Sequence, residues 1–406
     1  MASQVSIDEQ RILQLNGKRF FPITARHMPE GATPKLLCET GFNAMRWTPF
    51  GMDASEKQSW EVPEDLGDLA FYAYLYNRGD LSMDAERRRS DLSRLVHCVK
   101  DHPALLCYEQ RNEPASSYRD LSRPQSPPGG LIAGSAVVRA IDGNHPIRIG
   151  HMNCNLVSTL RRYNPAVDIV GCNPYVIQAP GMRMIGGMRP DGKVTDCPDQ
   201  TLSAVGEYTF KMMRVAEGRP VWMQIQGAAN ENFYHPDHTP ETRNQGLYEH
   251  HQLYPTRWQM RFMAFNAIIR GATGLEWMLI RHSVDNSSWQ DVSKVIGELH
   301  SLHDVLASPT LNQPLKVQYE ELGFSDWNGI ESLVKLHQGK PWILAANTQF
   351  DPIIATFSDL PEGVAGRLAV FGENRQCEVS NGQFTDRFQP YEVHVYSIAS
   401  SHEEPR

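Results

Sequence analysis

Between about residue 20 and residue 306 the chain alternates between short apolar runs and longer stretches of helical periodicity. No other feature constrains the fold as much. Short apolar runs bounded by turn signals read as strands buried on both faces, and helical crossovers between them impose parallel pairing. The runs expected as strands are residues 20–27, 42–47, 68–76, the run that starts at 104, 145–150, 167–172, 219–227 and 271–280. Helices are expected over 34–40, closed by Gly41, and over 82–100, 131–142, 201–217, 256–270 and 290–306. In 82–100, Met83, Leu92, Leu95, Val96 and Val99 share one face; in 290–306, Val292, Val295, Ile296, Leu299, Leu302 and Val305 do. The run at 68–76 is rich in alanine and aromatics, which also suits a helix. Eight strand-and-helix units are enough to close a parallel sheet into a (β/α)8 TIM barrel, so the expected fold is α/β.

The rhythm changes after Leu311. Helical periodicity stops, and short runs appear at 315–322, 330–337, 342–347, 353–357, 368–371 and 392–397. Turns such as Asn328-Gly329, Glu362-Gly363 and Asn381-Gly382 separate them. This pattern predicts a C-terminal antiparallel β-sandwich. The expected domains are a barrel over 1–310, with a short N-terminal hairpin that turns at Asn16-Gly17, and a sandwich over 311–406.

Composition removes several function classes. Hydrophobic residues make up 41% of the chain, enough for a large core and too many for disorder. The formal net charge of -8 gives no overall attraction to nucleic acid or to an anionic membrane. No run approaches the length of a transmembrane helix, and the first residues show no basic-then-apolar leader. The seven cysteines form no C-x-x-C pair, and their odd number argues against a disulfide framework. Cys107 and Cys172 lie inside strand runs as small core residues. No glycine-rich phosphate loop and no G-x-S-x-G elbow occurs, so no cofactor is indicated.

The chemistry concentrates at strand ends. Residues 104–114 read ALLCYEQRNEP: an apolar run, then a polar one, then Pro114, which cannot donate a ladder hydrogen bond. The strand therefore delivers Asn112 and Glu113 to its carboxyl end, where parallel barrels carry their active sites. By alternation Glu109 and Arg111 share the face of Glu113, and a pair between the two is one arrangement open to them.

Three strand ends together resemble clan GH-A, the (β/α)8 glycoside hydrolases with paired glutamates. They are Asn112-Glu113-Pro114, the phrase ending in Arg46 (residues 41–46), and Asn173-Pro174-Tyr175. The resemblance implies that Glu113 protonates the leaving glycosidic oxygen and Asn112 binds the sugar 2-hydroxyl. It also implies that Arg46 sits beneath the catalytic carboxylates, with Tyr175 near the second one. The expected substrate is a β-linked glycoside or polysaccharide, with no nucleic-acid or membrane partner and an oligomer left open.

The seventh strand departs from that pattern. It reads VWMQIQG over 221–227 and places Gln226 where the clan has its nucleophilic glutamate. An amide neither forms a glycosyl ester nor acts as a base at neutral pH. Four explanations stay open: another carboxylate (Glu276, Glu231 or Asp237), a nucleophile on the substrate itself, an engineered inactive chain, or a natural barrel that binds carbohydrate without cutting it. Glu276 can equally be half of a buried ion pair.

Trp47, Trp277 and Trp289 join Tyr175 as candidates to stack on a sugar. Arg26, His27, His151, His235, His238, Arg281 and His282 follow strand ends, and cations there suit an acidic or sulfated sugar. His235 and His238 flank Asp237, but no third metal ligand is indicated.

Overall fold

The computed structural model describes residues 2–49, 62, 65–116, 123–177, 201–229, 253–320 and 329–399. Three short strands, β1 (Val5–Ile7), β2 (Leu13–Leu15) and β3 (Lys18–Phe20), form an antiparallel sheet. The expected hairpin supplies β2 and β3. β1 is three residues long, too short to register as an alternating pattern.

The barrel strands are β4 (Ile23–Ala25), β5 (Ala44–Trp47), β6 (Ala70–Tyr74), β7 (Leu105–Glu109), β8 (Ile147–His151), β9 (Ile169–Cys172), β10 (Val221–Gln226) and β11 (Gly274–Met278). They pair in parallel in sequence order, β11 pairs with β4, and the ring is closed. Around it lie α1 (Pro34–Thr40), α2 (Ala85–Val99), α3 (Pro128–Ile141), α4 (Val157–Arg161), α5 (Ala204–Ala216), α6 (Arg257–Ile269), α7 (Ser287–Ser301) and α8 (His303–Leu306). The ambiguous run at 68–76 is a strand, β6. α3 starts three residues ahead of expectation because Pro128 fits a first helical turn, where no N–H partner is needed. The stretch expected as one helix over 290–306 is two, α7 and α8.

Strand alternation sorts the side chains. Val221, Met223, Ile225, Leu275 and Trp277 point outward into the helix layer. Trp222, Gln224, Gln226, Gly274 and Glu276 alternate with them and point into the ring. At the amino end of the ring, Ala44, Ala70, Tyr72, Cys107, Ile169 and Trp222 pack against Val5 and Leu13. The β1–β3 sheet thus plugs the bottom, and the carboxyl rim is left for chemistry.

The C-terminal region is a two-sheet sandwich. One sheet has the order β12 (Lys316–Tyr319), β15 (Ile353–Ser358), β18 (Phe384–Phe388). The other has the order β13 (Ile330–His337), β14 (Lys340–Asn347), β19 (Val393–Ile398), β16 (Gly366–Val370), β17 (Gln376–Val379). β17 and β18 were not among the expected runs, since QCEV and FTDRF carry few apolar residues. Between the sheets, Phe357 and Phe384 stack with ring centroids 4.7 Å apart. Leu344, Ala346, Val393 and Val395 join the core of the barrel helices. Arg261 on α6 donates to the Val393 carbonyl at 2.6 Å and pairs with Glu298, while Arg270 pairs with Glu331.

A charged cluster joins the two sheets. Buried His394 on β19 lies 3.0 Å from Asp386 on β18, and Glu392, Glu373, Arg375 and Tyr396 surround the pair. Burial works to lower the His394 pKa, but the hydrogen bonds to Asp386 and Glu392 override it and raise the value above 6.5. Burial works to raise Asp386 and Glu392, and their bonds to His394 hold both below their ordinary values of 3.8 and 4.5. The histidine's contribution is therefore complete below pH 6.5 and disappears as pH rises through its raised folded value. The carboxylates' contribution is present above 4.5 and disappears as pH falls through their depressed values. Thermal unfolding across pH should show a maximum between these limits, and in His394→Gln the alkaline decline due to this group should vanish. An unchanged alkaline limb would refute the linkage.

Candidate active site at the carboxyl rim

Glu113 follows β7 at the carboxyl rim. Its backbone sits at φ +51°, a left-handed conformation that costs a non-glycine residue and is held by its surroundings. The surroundings are specific: the Glu113 N–H donates to the Gly150 carbonyl at 2.8 Å, and the Glu113 carbonyl accepts from Ser116 N–H at 3.1 Å. The side chain is 8% exposed. Asn173, just past β9, donates through Nδ2 to Glu113 Oε1 at 3.0 Å and to Asn112 Oδ1 at 2.8 Å. One amide therefore aligns both residues of the Asn-Glu pair. Its room comes from Gly150, where a Cβ would meet Asn112 Oδ1 at 3.0 Å and Asn173 Oδ1 at 3.1 Å.

The two inward glutamines of β10 differ. Gln226 is closed onto backbone: Oε1 accepts from Ile177 N–H at 3.0 Å, and Nε2 donates to the Ile177 carbonyl at 2.8 Å and the Ala228 carbonyl at 3.3 Å. Gln224 lies one inward step deeper. Its Nε2 donates to the Tyr175 hydroxyl at 2.7 Å, and its buried Oε1 has no hydrogen-bond partner among the described residues. Burial raises the pKa of Tyr175, and the charge of Glu113 adds to that shift, so the phenol stays neutral. Tyr175 thus feels the charge of Glu113 and accepts from Gln224.

Beneath the rim is an ion network. Glu276 Oε2 accepts from Arg26 Nη1 at 2.7 Å, and Oε1 accepts from Arg148 and from the Tyr72 hydroxyl. Burial alone would push the Glu276 carboxyl up; Arg148 and Arg26 outweigh it and hold it well below the usual range. Glu109 lies 3.3 Å from Arg26, 3.4 Å from Arg148 and 3.8 Å from Arg46. Glu109 does not pair with Arg111, which donates to Gln125 at 2.7 Å. Arg46 also lies over the Tyr74 ring, 4.7 Å from its centroid.

The structure thus brings together Glu113, Asn112 and Asn173, and beside them Tyr175 and Gln224, above Arg46, Glu109 and Glu276. It places Trp47, Trp277 and Trp289 elsewhere, in the core shared with the helices. His151 alternates outward from Arg148 and Gly150 and packs edge-on to Tyr163, with ring centroids 5.8 Å apart. Burial pushes its pKa down to about 3, so it is neutral. His235, Glu231, Asp237 and His238 lie outside the described residues. Among those described, no group of three or more His, Cys, Asp or Glu side chains forms a metal site. Sequence reasoning missed Gln224 and Arg148. Both are polar residues at inward positions of apolar strands, and that exception to the pattern was the available signal.

No protein-family model matches the chain, and no curated protein sequence does. Solved structures do. A protein described as a glycoside hydrolase superposes with a TM-score of 0.62 at 13% identity, over 99% of this chain and 98% of its own. A family 5 glycoside hydrolase from Bacteroides vulgatus gives 0.58 at 10% identity, over 99% and 94%. An α-amylase from Geobacillus thermoleovorans, complexed with acarbose, gives 0.53 at 10% identity, over 91% of each chain. These likenesses show the fold, a closed eight-stranded parallel barrel followed by antiparallel sheets, over 91–99% of this chain.

Proposed function

We propose that the protein hydrolyses a β-linked glycoside, with Glu113 as general acid and base. The observation that carries this reading is the placement of Glu113 at the carboxyl rim, aligned with Asn112 by the Asn173 amide. As a carboxylic acid, Glu113 gives its proton to the leaving oxygen as the bond from that oxygen to the anomeric carbon breaks. Where the first step leaves an intermediate bonded to the sugar's own substituent or to a second carboxylate, Glu113 as a carboxylate then takes the proton of the incoming water that displaces it. The Oδ1 of Asn112 is occupied by Asn173, which leaves its Nδ2 to donate to a sugar hydroxyl. Carbohydrate is the proposed partner, in keeping with the acarbose bound by the superposable amylase.

β10 offers no nucleophile. Gln224 and Gln226 are amides, and Glu276 is held by two arginines. A glycosyl ester on β10 is thus not available, and the group that attacks the anomeric carbon comes from water, from the sugar itself, or from Glu231 or Asp237. Glu109 and Glu276, the carboxylates of the network beneath Glu113, are both held by arginines, which favours a second reading, a barrel that binds carbohydrate without cutting it.

A panel of β-linked oligosaccharides, incubated with wild type, Gln224→Glu and Gln226→Glu, separates the two. Cleavage by wild type supports hydrolysis. Binding without cleavage by wild type, with turnover gained in Gln224→Glu, supports the binder. Gln226→Glu should gain nothing, because its new oxygen would face the Ile177 carbonyl.

A further inference from the structure

Just beneath the rim lies a cation whose one ion pair among the described residues is long. Arg46 is nearly buried, with its side chain 9% exposed. Its nearest carboxylate oxygen, on Glu109, is 3.8 Å away, and its guanidinium makes no hydrogen bond among the described residues. Its Cζ lies over the Tyr74 ring, 4.7 Å from the centroid. A planar guanidinium over an aromatic ring, with only a long ion pair among the described residues, suits a two-oxygen anion.

The local charge balance points the same way. Three guanidiniums (Arg26, Arg46, Arg148) face two carboxylates (Glu109, Glu276). His27, half-buried beside Arg46, adds no charge: burial lowers its pKa, and the Arg46 and Arg26 charges lower it further. Burial keeps the Tyr72, Tyr74 and Tyr175 phenols neutral. When Glu113 carries the proton it is to donate, the three guanidiniums outnumber the carboxylates of this network by one among the described residues. A glutamate on the inward face of β10 would supply that negative charge, but both inward positions near the rim are amides.

We infer that the sugar supplies the missing charge: the substrate carries an oxyanion substituent, the carboxylate of a uronic acid or a sulfate ester, which Arg46 binds through its fork. This inference rests on the proposed reading of the rim as a sugar site and names the class of sugar it takes.

The test is an array of β-linked gluco-, galacto-, manno- and xylo-oligosaccharides, each in neutral, uronate and O-sulfated form. Calorimetry on the best-binding backbone follows, with wild type, Arg46→Gln and Arg46→Lys. One anionic form should bind about 10- to 100-fold more tightly than its neutral parent, and the advantage should shrink as salt is raised. A net charge of -8 keeps background attraction to anions low, so such a preference reports the site. Arg46→Gln should bring the ratio close to one, and Arg46→Lys, which keeps charge without the fork, should leave it between. If Arg46→Gln does not fold, the Lys variant and the salt series still decide. A gain confined to uronates or to sulfates supports the inference and separates the two sources. Equal binding of neutral and anionic forms overturns it and leaves the sugar site standing. Binding of no glycan overturns both. An anionic preference that persists in folded Arg46→Gln refutes the role of Arg46.

Discussion

Glu113→Gln is expected to lower kcat on β-linked oligosaccharides by about 10²- to 10⁴-fold, the usual contribution of a positioned proton donor. The amide keeps the size and the hydrogen bond from Asn173 Nδ2 but has no proton to transfer. Sugar affinity should therefore change far less than turnover. The loss should also depend on the leaving group. Aryl glycosides whose phenols depart as anions need little protonation and should lose least; alkyl and sugar leaving groups should lose most. Steady-state kinetics on both types, beside circular dichroism to confirm folding, make the check. A uniform loss, or none, would show that Glu113 is not the acid.

Glu276→Gln is expected to cost about 3–5 kcal/mol of stability, the penalty for leaving a buried charge without its partner. Both carboxylate oxygens are engaged, by Arg26 on one side and by Arg148 and Tyr72 on the other. The variant would face two guanidiniums with a neutral amide in a side chain that has no solvent exposure. Denaturant midpoints at neutral pH measure the effect. The contrasting outcome is a stable variant with abolished turnover that is rescued by azide; that would make Glu276 the nucleophile.

The two substitutions mark how far sequence alone reached. The eight barrel runs were legible because a strand buried on both faces is mostly apolar along its length, with inward polar residues such as Arg148 and Gln224 as the exceptions. Glu113 was legible from the Asn-Glu-Pro phrase that follows the apolar run, although the strand stops at Glu109, four residues earlier, and not at Pro114. The ion network was not. Arg26, Glu109, Arg148 and Glu276 come from four strands, and period-two alternation gives a facing direction without giving the depth at which residues from different strands meet. The same limit separates Gln224 from Gln226. Both point inward, and only the positions of Tyr175 and Ile177 show which one lies beside the phenol and which one closes on backbone. The tryptophans illustrate a further gap, since proximity to a strand end does not decide which side of the wall a side chain occupies.

The clamp that Gln226 makes on Ile177 has an engineering corollary. It ties the backbone just past β9 to the last residue of β10 without touching Glu113. The fastening of this corner and the proton donor can therefore be altered independently of each other.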